Sequence, residues 1–94
     1  MPVALNHIDE AIAIARRHGA TQVVLFGSTL LAPDAAHDLD LAIGGVPGWD
    51  FYKLAAELDA HLPVPVDVVP LEPANTFTQR ILDRGRVVYE EDSP

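Results

Sequence analysis

Ninety-four residues make one domain that buries roughly 60% of its unfolded surface, which leaves no room for separate catalytic and regulatory units. An apolar share of 49% and a charged share of 21% suit a chain that folds around a core, and a net charge of -8 opposes the counterion release behind general polyanion binding, so no broad nucleic-acid-binding face is expected. With no cysteine there is no disulfide and no thiolate metal site, and any metal must sit on oxygen or imidazole, which points to hard cations such as Mg²⁺.

The N-terminal Met1-Pro2-Val3-Ala4-Leu5 lacks a basic stretch and meets Asp9 and Glu10 at once, and no apolar run approaches the roughly 18 residues of a membrane span. A soluble cytoplasmic protein without membrane association is expected. Ile8, Ala11, Ile12 and Ala15 repeat at helical spacing and predict a helix over about 6 to 18, with Asn6 as N-cap and Gly19 as the stop. Gln22 to Phe26 is a β-branched apolar run closed by Gly27, the pattern of a buried strand followed by a tight turn into a short helical segment.

Asp38-Leu39-Asp40-Leu41-Ala42-Ile43 alternates strictly, which puts Leu39, Leu41 and Ile43 on one face of a second strand and both aspartates on the other. Phe51, Leu54, Ala55, Leu58 and Leu62 predict a helix from Trp49 to Leu62, with Trp49, Phe51 and Tyr52 packing its start. Val64 to Val69 reads as a third strand, residues 74 to 84 as a helix with Gly85 at C′, and Arg86 to Glu90 as a last strand. The order αβ(α)βαβαβ predicts an α/β (α+β) fold: one small mixed sheet of about four strands covered by helices, a single domain over 1–94. The first-to-second strand connection is too short for a parallel crossover.

Three features bear on chemistry. Asp38 and Asp40 lie about 7 Å apart on one side of a strand, a spacing at which two carboxylates can share Mg²⁺ with waters and phosphate oxygens. The plain alternative is a strand with one solvated face, although aspartate is a poor strand former and two of them in one strand go against local preference. Asp67 repeats that conflict between valines that ask for burial, and joins the other two only if the second and third strands are neighbours. Gly27-Ser28, at the end of a strand, offers backbone N–H groups and a hydroxyl to phosphate oxygens, or is simply a turn. The P-loop and G-x-G-x-x-G signatures are absent from the sequence.

Together, Leu25-Phe26-Gly27-Ser28, nine intervening residues, Asp38-Leu39-Asp40-Leu41 and then Val66-Asp67-Val68-Val69 resemble the nucleotidyltransferase superfamily that includes DNA polymerase β. The likeness is greatest to the minimal nucleotidyltransferases, antitoxins paired with HEPN-domain ribonucleases, and runs from about Thr21 to Glu90. The resemblance implies that Gly27 and Ser28 hold the triphosphate, that Asp38, Asp40 and Asp67 bind two Mg²⁺ ions (Mn²⁺ being the alternative), and that AMP passes from ATP, or another nucleoside triphosphate, to a hydroxyl of a HEPN-domain partner. A second reading is an antitoxin-like subunit that masks its partner by occupation with little or no transfer. It draws on a departure: Thr29-Leu30-Leu31-Ala32 stands where the family has arginines and a glycine. Lys53 is a candidate substitute cation, against the surface role usual for a helical lysine. Arg80, Arg84 and Arg86 read first as charges suited to a helix C-terminus. His37 reads as a solvated loop residue, and His7, His18 and His61 receive no role.

Overall fold

The computed structural model describes residues 3–27 and 37–91. The elements are α1 (Leu5–Arg17), β1 (Gln22–Leu25), β2 (Leu39–Gly44), α2 (Gly48–His61), β3 (Val66–Pro70), α3 (Thr76–Arg84) and β4 (Arg86–Glu90). The expected short helical segment after Gly27-Ser28 lies outside the described residues.

One four-stranded sheet in the order β3-β2-β1-β4 organises the molecule. β1 and β2 pair antiparallel, as the short connection between them in the sequence requires, and so do β1 and β4. The helical connection through α2 makes β2 and β3 parallel, and the sheet is mixed as expected.

Alternation along the strands divides the core. Val23 and Leu25 of β1 and Leu39, Leu41 and Ile43 of β2 face α1 and α2, where they pack with Ile14, Leu54 and Leu58. Burying each of these larger side chains stabilises the fold by about 1.5–3 kcal/mol. Val24 and Ala42 point to the other face, where Leu71 and Ile81 cover them. The aspartate-bearing face of β2 is therefore dry under α3 and polar only toward one end.

Local chemistry explains most boundaries and corrects several expectations. α1 begins before Asn6: Ala4 is the N-cap, and buried His7 at N3 accepts the Ala4 backbone N–H through Nδ1 at 3.0 Å. His7 thus has a role that helical spacing alone does not reveal. At the other end Gly19 adopts φ +88°, and the Gly19 and Ala20 N–H groups donate to the Arg16 and Ala15 carbonyls, closing a Schellman motif. Asn75 caps α3 reciprocally: its Oδ1 accepts the Thr78 N–H at 2.9 Å, and Thr78 Oγ1 accepts the Asn75 N–H at 2.8 Å.

Gly85 is not a left-handed C′ residue. It is the C-cap at φ -77°, and a glycine suits this position because a Cβ would sit 2.7 Å from Val24 Cγ1 and 2.9 Å from the Leu25 carbonyl oxygen. β3 starts at Val66, not Val64: the first ladder bond to β2 runs from the Leu39 N–H to the Pro65 carbonyl at 2.8 Å, and pairing begins at Leu39 and Val66. The three aromatics expected to pack the start of α2 do meet there, Tyr52 lying edge to face on Phe51 with centroids 6.2 Å apart, but only Phe51 is buried. Trp49 and Tyr52 are 80% and 66% exposed, their rings 5.7 Å apart. Among the described residues no helix is long and apolar enough to cross a membrane.

Arg17 and His18 at the end of α1 both reach Glu57 of α2, His18 Nε2 lying 3.1 Å from Glu57 Oε1. The hydrogen bond from Arg17, then that from His18, holds the Glu57 carboxyl below its ordinary value. A depressed carboxylate pKa contributes stability above the unfolded value that is lost as pH falls through the folded one. Urea unfolding should therefore separate the parent from Glu57→Gln at neutral pH, and the gap should close as pH drops below the ordinary glutamate range. A gap that is constant with pH would mean that the clasp carries no such linkage.

Candidate functional site

The C-terminal end of β1 and the starts of β2 and β3 meet at one end of the sheet. Asp40 and Asp67 are direct register partners across the parallel β2–β3 pair, so their side chains leave the sheet on the same face. Asp38 precedes β2 by one residue, at a bend, and is exposed. The Phe26 N–H donates to the Asp40 carbonyl at 3.2 Å and carries the chain past the end of β1 into Gly27.

Gly27 then takes φ +68°, in the left-handed region that favours glycine. The space a Cβ would fill is occupied by the Asp40 carboxylate, whose Cγ would lie 3.2 Å from such an atom. The turn and the acid are thus packed into one another. Ser28 lies outside the described residues, as do Thr29 to Ala32.

Asp67 is exposed and its valine neighbours are half-buried, contrary to the expectation of an acid set among buried residues. Strand order is the cause: β3 is an edge strand, and an edge leaves one flank open to water. Among the described residues no three histidine, aspartate or glutamate side chains gather into a group of a size to hold a metal ion. Backbone register brings Asp40 and Asp67 together, while the third carboxylate stands at the margin.

The remaining candidates sort by face. Lys53 is exposed on α2, which covers the face opposite to Asp40, so the fold does not bring this lysine to the carboxylates. His37 and His61 are exposed. α3 covers the carboxylate-bearing face and carries Arg80 and Arg84, while Arg86 opens β4 opposite Leu25. Phe77 of α3 meets Phe26 edge to face, ring centroids 6.3 Å apart. A cavity of about 770 Å³ lies at the far ends of β2 and β3, among Val46, Pro47, Phe51, Tyr52, Pro70 and Pro73.

The family model for polymerase beta nucleotidyltransferases matches residues 9–94. The chain belongs to this nucleotidyltransferase family. Its fold agrees with a chain of a mutant MntA–HpeT toxin–antitoxin complex at a TM-score of 0.75 and 22% identity, over 94% of this chain and 76% of that one. A toxin–antitoxin complex with AMP-PNP gives a TM-score of 0.74 at 24% identity, covering 94% and 76% of the two chains. The tri-AMPylated Shewanella oneidensis HEPN toxin in complex with MNT antitoxin gives 0.70 at 23%, covering 90% and 71%. Comparison with curated proteins gives no match. Gly27, Asp40 and Asp67 meet at one end of this sheet.

Proposed function

We propose that this nucleotidyltransferase domain, spanning 1–94, transfers AMP from ATP to a hydroxyl of a HEPN-domain protein in the cytoplasm, as the antitoxin of a toxin–antitoxin pair. The observation that carries the reading is the apposition of Asp40 and Asp67 beside a left-handed Gly27. It is supported by the relatives of like fold, one holding a tri-AMPylated HEPN toxin with its MNT antitoxin and another AMP-PNP.

The oxygen-only donor set suits Mg²⁺ or Mn²⁺, and Asp38, Asp40 and Asp67 are the residues that would hold two such ions. Bound there, they supply charge neutralisation for the phosphates and a lowered pKa for the attacking hydroxyl. Gly27 lets the backbone approach the triphosphate closely, Ser28 offers it a hydroxyl, and Asp67 orients the acceptor. The acceptor oxygen bonds to the α-phosphorus, the bridge to the β-phosphate breaks, and pyrophosphate leaves with the proton passing to solvent.

Thr29-Leu30-Leu31-Ala32, in place of the family's arginines, favours the second reading of a subunit that masks its partner by occupation. Incubation with a HEPN-domain protein, Mg²⁺ and ATP labelled at the α-phosphate separates the two. Transfer predicts label on a tyrosine of the partner, faster than any labelling by the isolated chain. A stable unlabelled complex supports occupation, and vigorous labelling of small molecules such as aminoglycosides by the chain alone overturns both.

A further inference from the structure

α3 presents three differently exposed sides. Thr78 and Ile81 are buried against the sheet, whereas Phe77 is 54% exposed. Phe77 and Arg84 are seven residues apart, within about 20° of each other around a helix of 3.6 residues per turn, and so share one flank. Arg80 lies further round toward solvent.

Two observations place this flank beside the end of β1 that leads to the carboxylates. Phe77 packs edge to face on Phe26, the residue that donates to the Asp40 carbonyl and immediately precedes Gly27. At the other end of the helix, Arg84 adjoins Gly85, whose missing Cβ would lie 2.9 Å from the Leu25 carbonyl oxygen. The flank therefore runs along the last residues of β1, from Phe77 at one end to Arg84 at the other. Arg84 makes no ion pair with another described residue.

An isolated exposed phenylalanine needs no explanation. Here the ring is fixed edge-on by Phe26 and stays half open, beside an end of the sheet where Asp38, Asp40 and Asp67 would repel a nucleotide's phosphates. A ligand approaching that end gains from a stacking surface for its base and a cation for its phosphates.

We propose that Phe77 is the stacking surface for the nucleobase of the bound nucleoside triphosphate and that Arg84 contacts its phosphates. The proposal rests on the nucleotidyltransferase reading above and assigns two residues to recognition, not to the chemical step. Stacking tolerates any base, so ATP and GTP are bound alike at Phe77.

Calorimetry with Mg-ATP and with Mg-tripolyphosphate, which has no base, tests both parts. Phe77→Leu keeps an apolar contact for Phe26 but lacks a π face. It should weaken ATP about 5- to 150-fold and leave tripolyphosphate unchanged, with Phe77→Tyr close to the parent. Arg84→Gln should weaken both ligands about 10-fold or more. Unchanged ATP binding by Phe77→Leu overturns the stacking role, and unchanged tripolyphosphate binding by Arg84→Gln overturns the phosphate contact, with the nucleotidyltransferase reading intact in either case. A parent that binds neither ligand overturns that reading as well.

Discussion

In Asp40→Asn protein, Mg²⁺ is expected to leave the melting temperature where EDTA leaves it, while the parent melts higher with Mg²⁺ than without. A cation that binds only the folded state stabilises it by about 1.4 kcal/mol at ten times its Kd. For a domain of this size that is a rise of about 6–11 °C. The effect is lost in the variant because Asp40 is the half-buried member of the acidic set and the direct register partner of Asp67. Without metal the substitution should cost nothing or stabilise slightly, since like charges directly opposed across two strands destabilise by about 0.2–1 kcal/mol. AMP transfer should fall with the loss of the cation. Paired melts of parent and variant, each with EDTA or millimolar Mg²⁺, check the expectation. A parent indifferent to Mg²⁺ together with a destabilised variant would remove Asp38, Asp40 and Asp67 from the catalytic assignment.

What the sequence discloses here follows from what local patterns can encode. Alternation in Leu39-Asp40-Leu41-Ala42-Ile43 specifies which side chains share a face, and β2 folds that way. The same alternation is silent on what covers each face. Ala42 is buried because α3 lies over it, and Lys53 is removed from the carboxylates because α2 lies on the other side. Both are outcomes of tertiary packing. Asp67 looked like an acid among buried valines, and its exposure depends on β3 being an edge strand, which the order of strands decides and no local window records.

The candidate site was legible in part and for a similar reason. Two aspartates at a spacing of two, a third in another strand and a glycine ending the first strand are visible along the chain, but the parallel pairing of β2 and β3 brings only Asp40 and Asp67 together and leaves Asp38 at the margin. Phe77 and Arg84 went unread as a pair, since helical spacing puts them on one flank without saying what the flank faces. The Phe26–Phe77 contact supplies that direction. His7 shows the converse: its neighbours Asn6 and Asp9 carry the better-known capping side chains, and burial of the imidazole selects a different start for α1.

Replacement of Gly27 by alanine should have the second large effect, and Gly19 provides the control. Both glycines have positive φ, +68° and +88°. Each Ala substitution therefore incurs the left-handed penalty of about 1–2 kcal/mol. Their surroundings differ. A Cβ at Gly19 meets nothing within 4 Å, whereas one at Gly27 enters the space of the Asp40 carboxylate and must turn it away from its place beside Asp67. Gly19→Ala should lower stability and leave Mg-ATP binding as in the parent. Gly27→Ala should lower stability by a similar or larger amount and, in addition, weaken Mg-ATP by about 10- to 150-fold, the loss of one charge-assisted contact. Urea unfolding measures the shared conformational penalty, and calorimetry with Mg-ATP measures what only Gly27 adds. Equal ATP affinity in the two variants would mean that the packing of Gly27 on Asp40 serves the fold alone, and the nucleotide would have to be sought away from the end of β1.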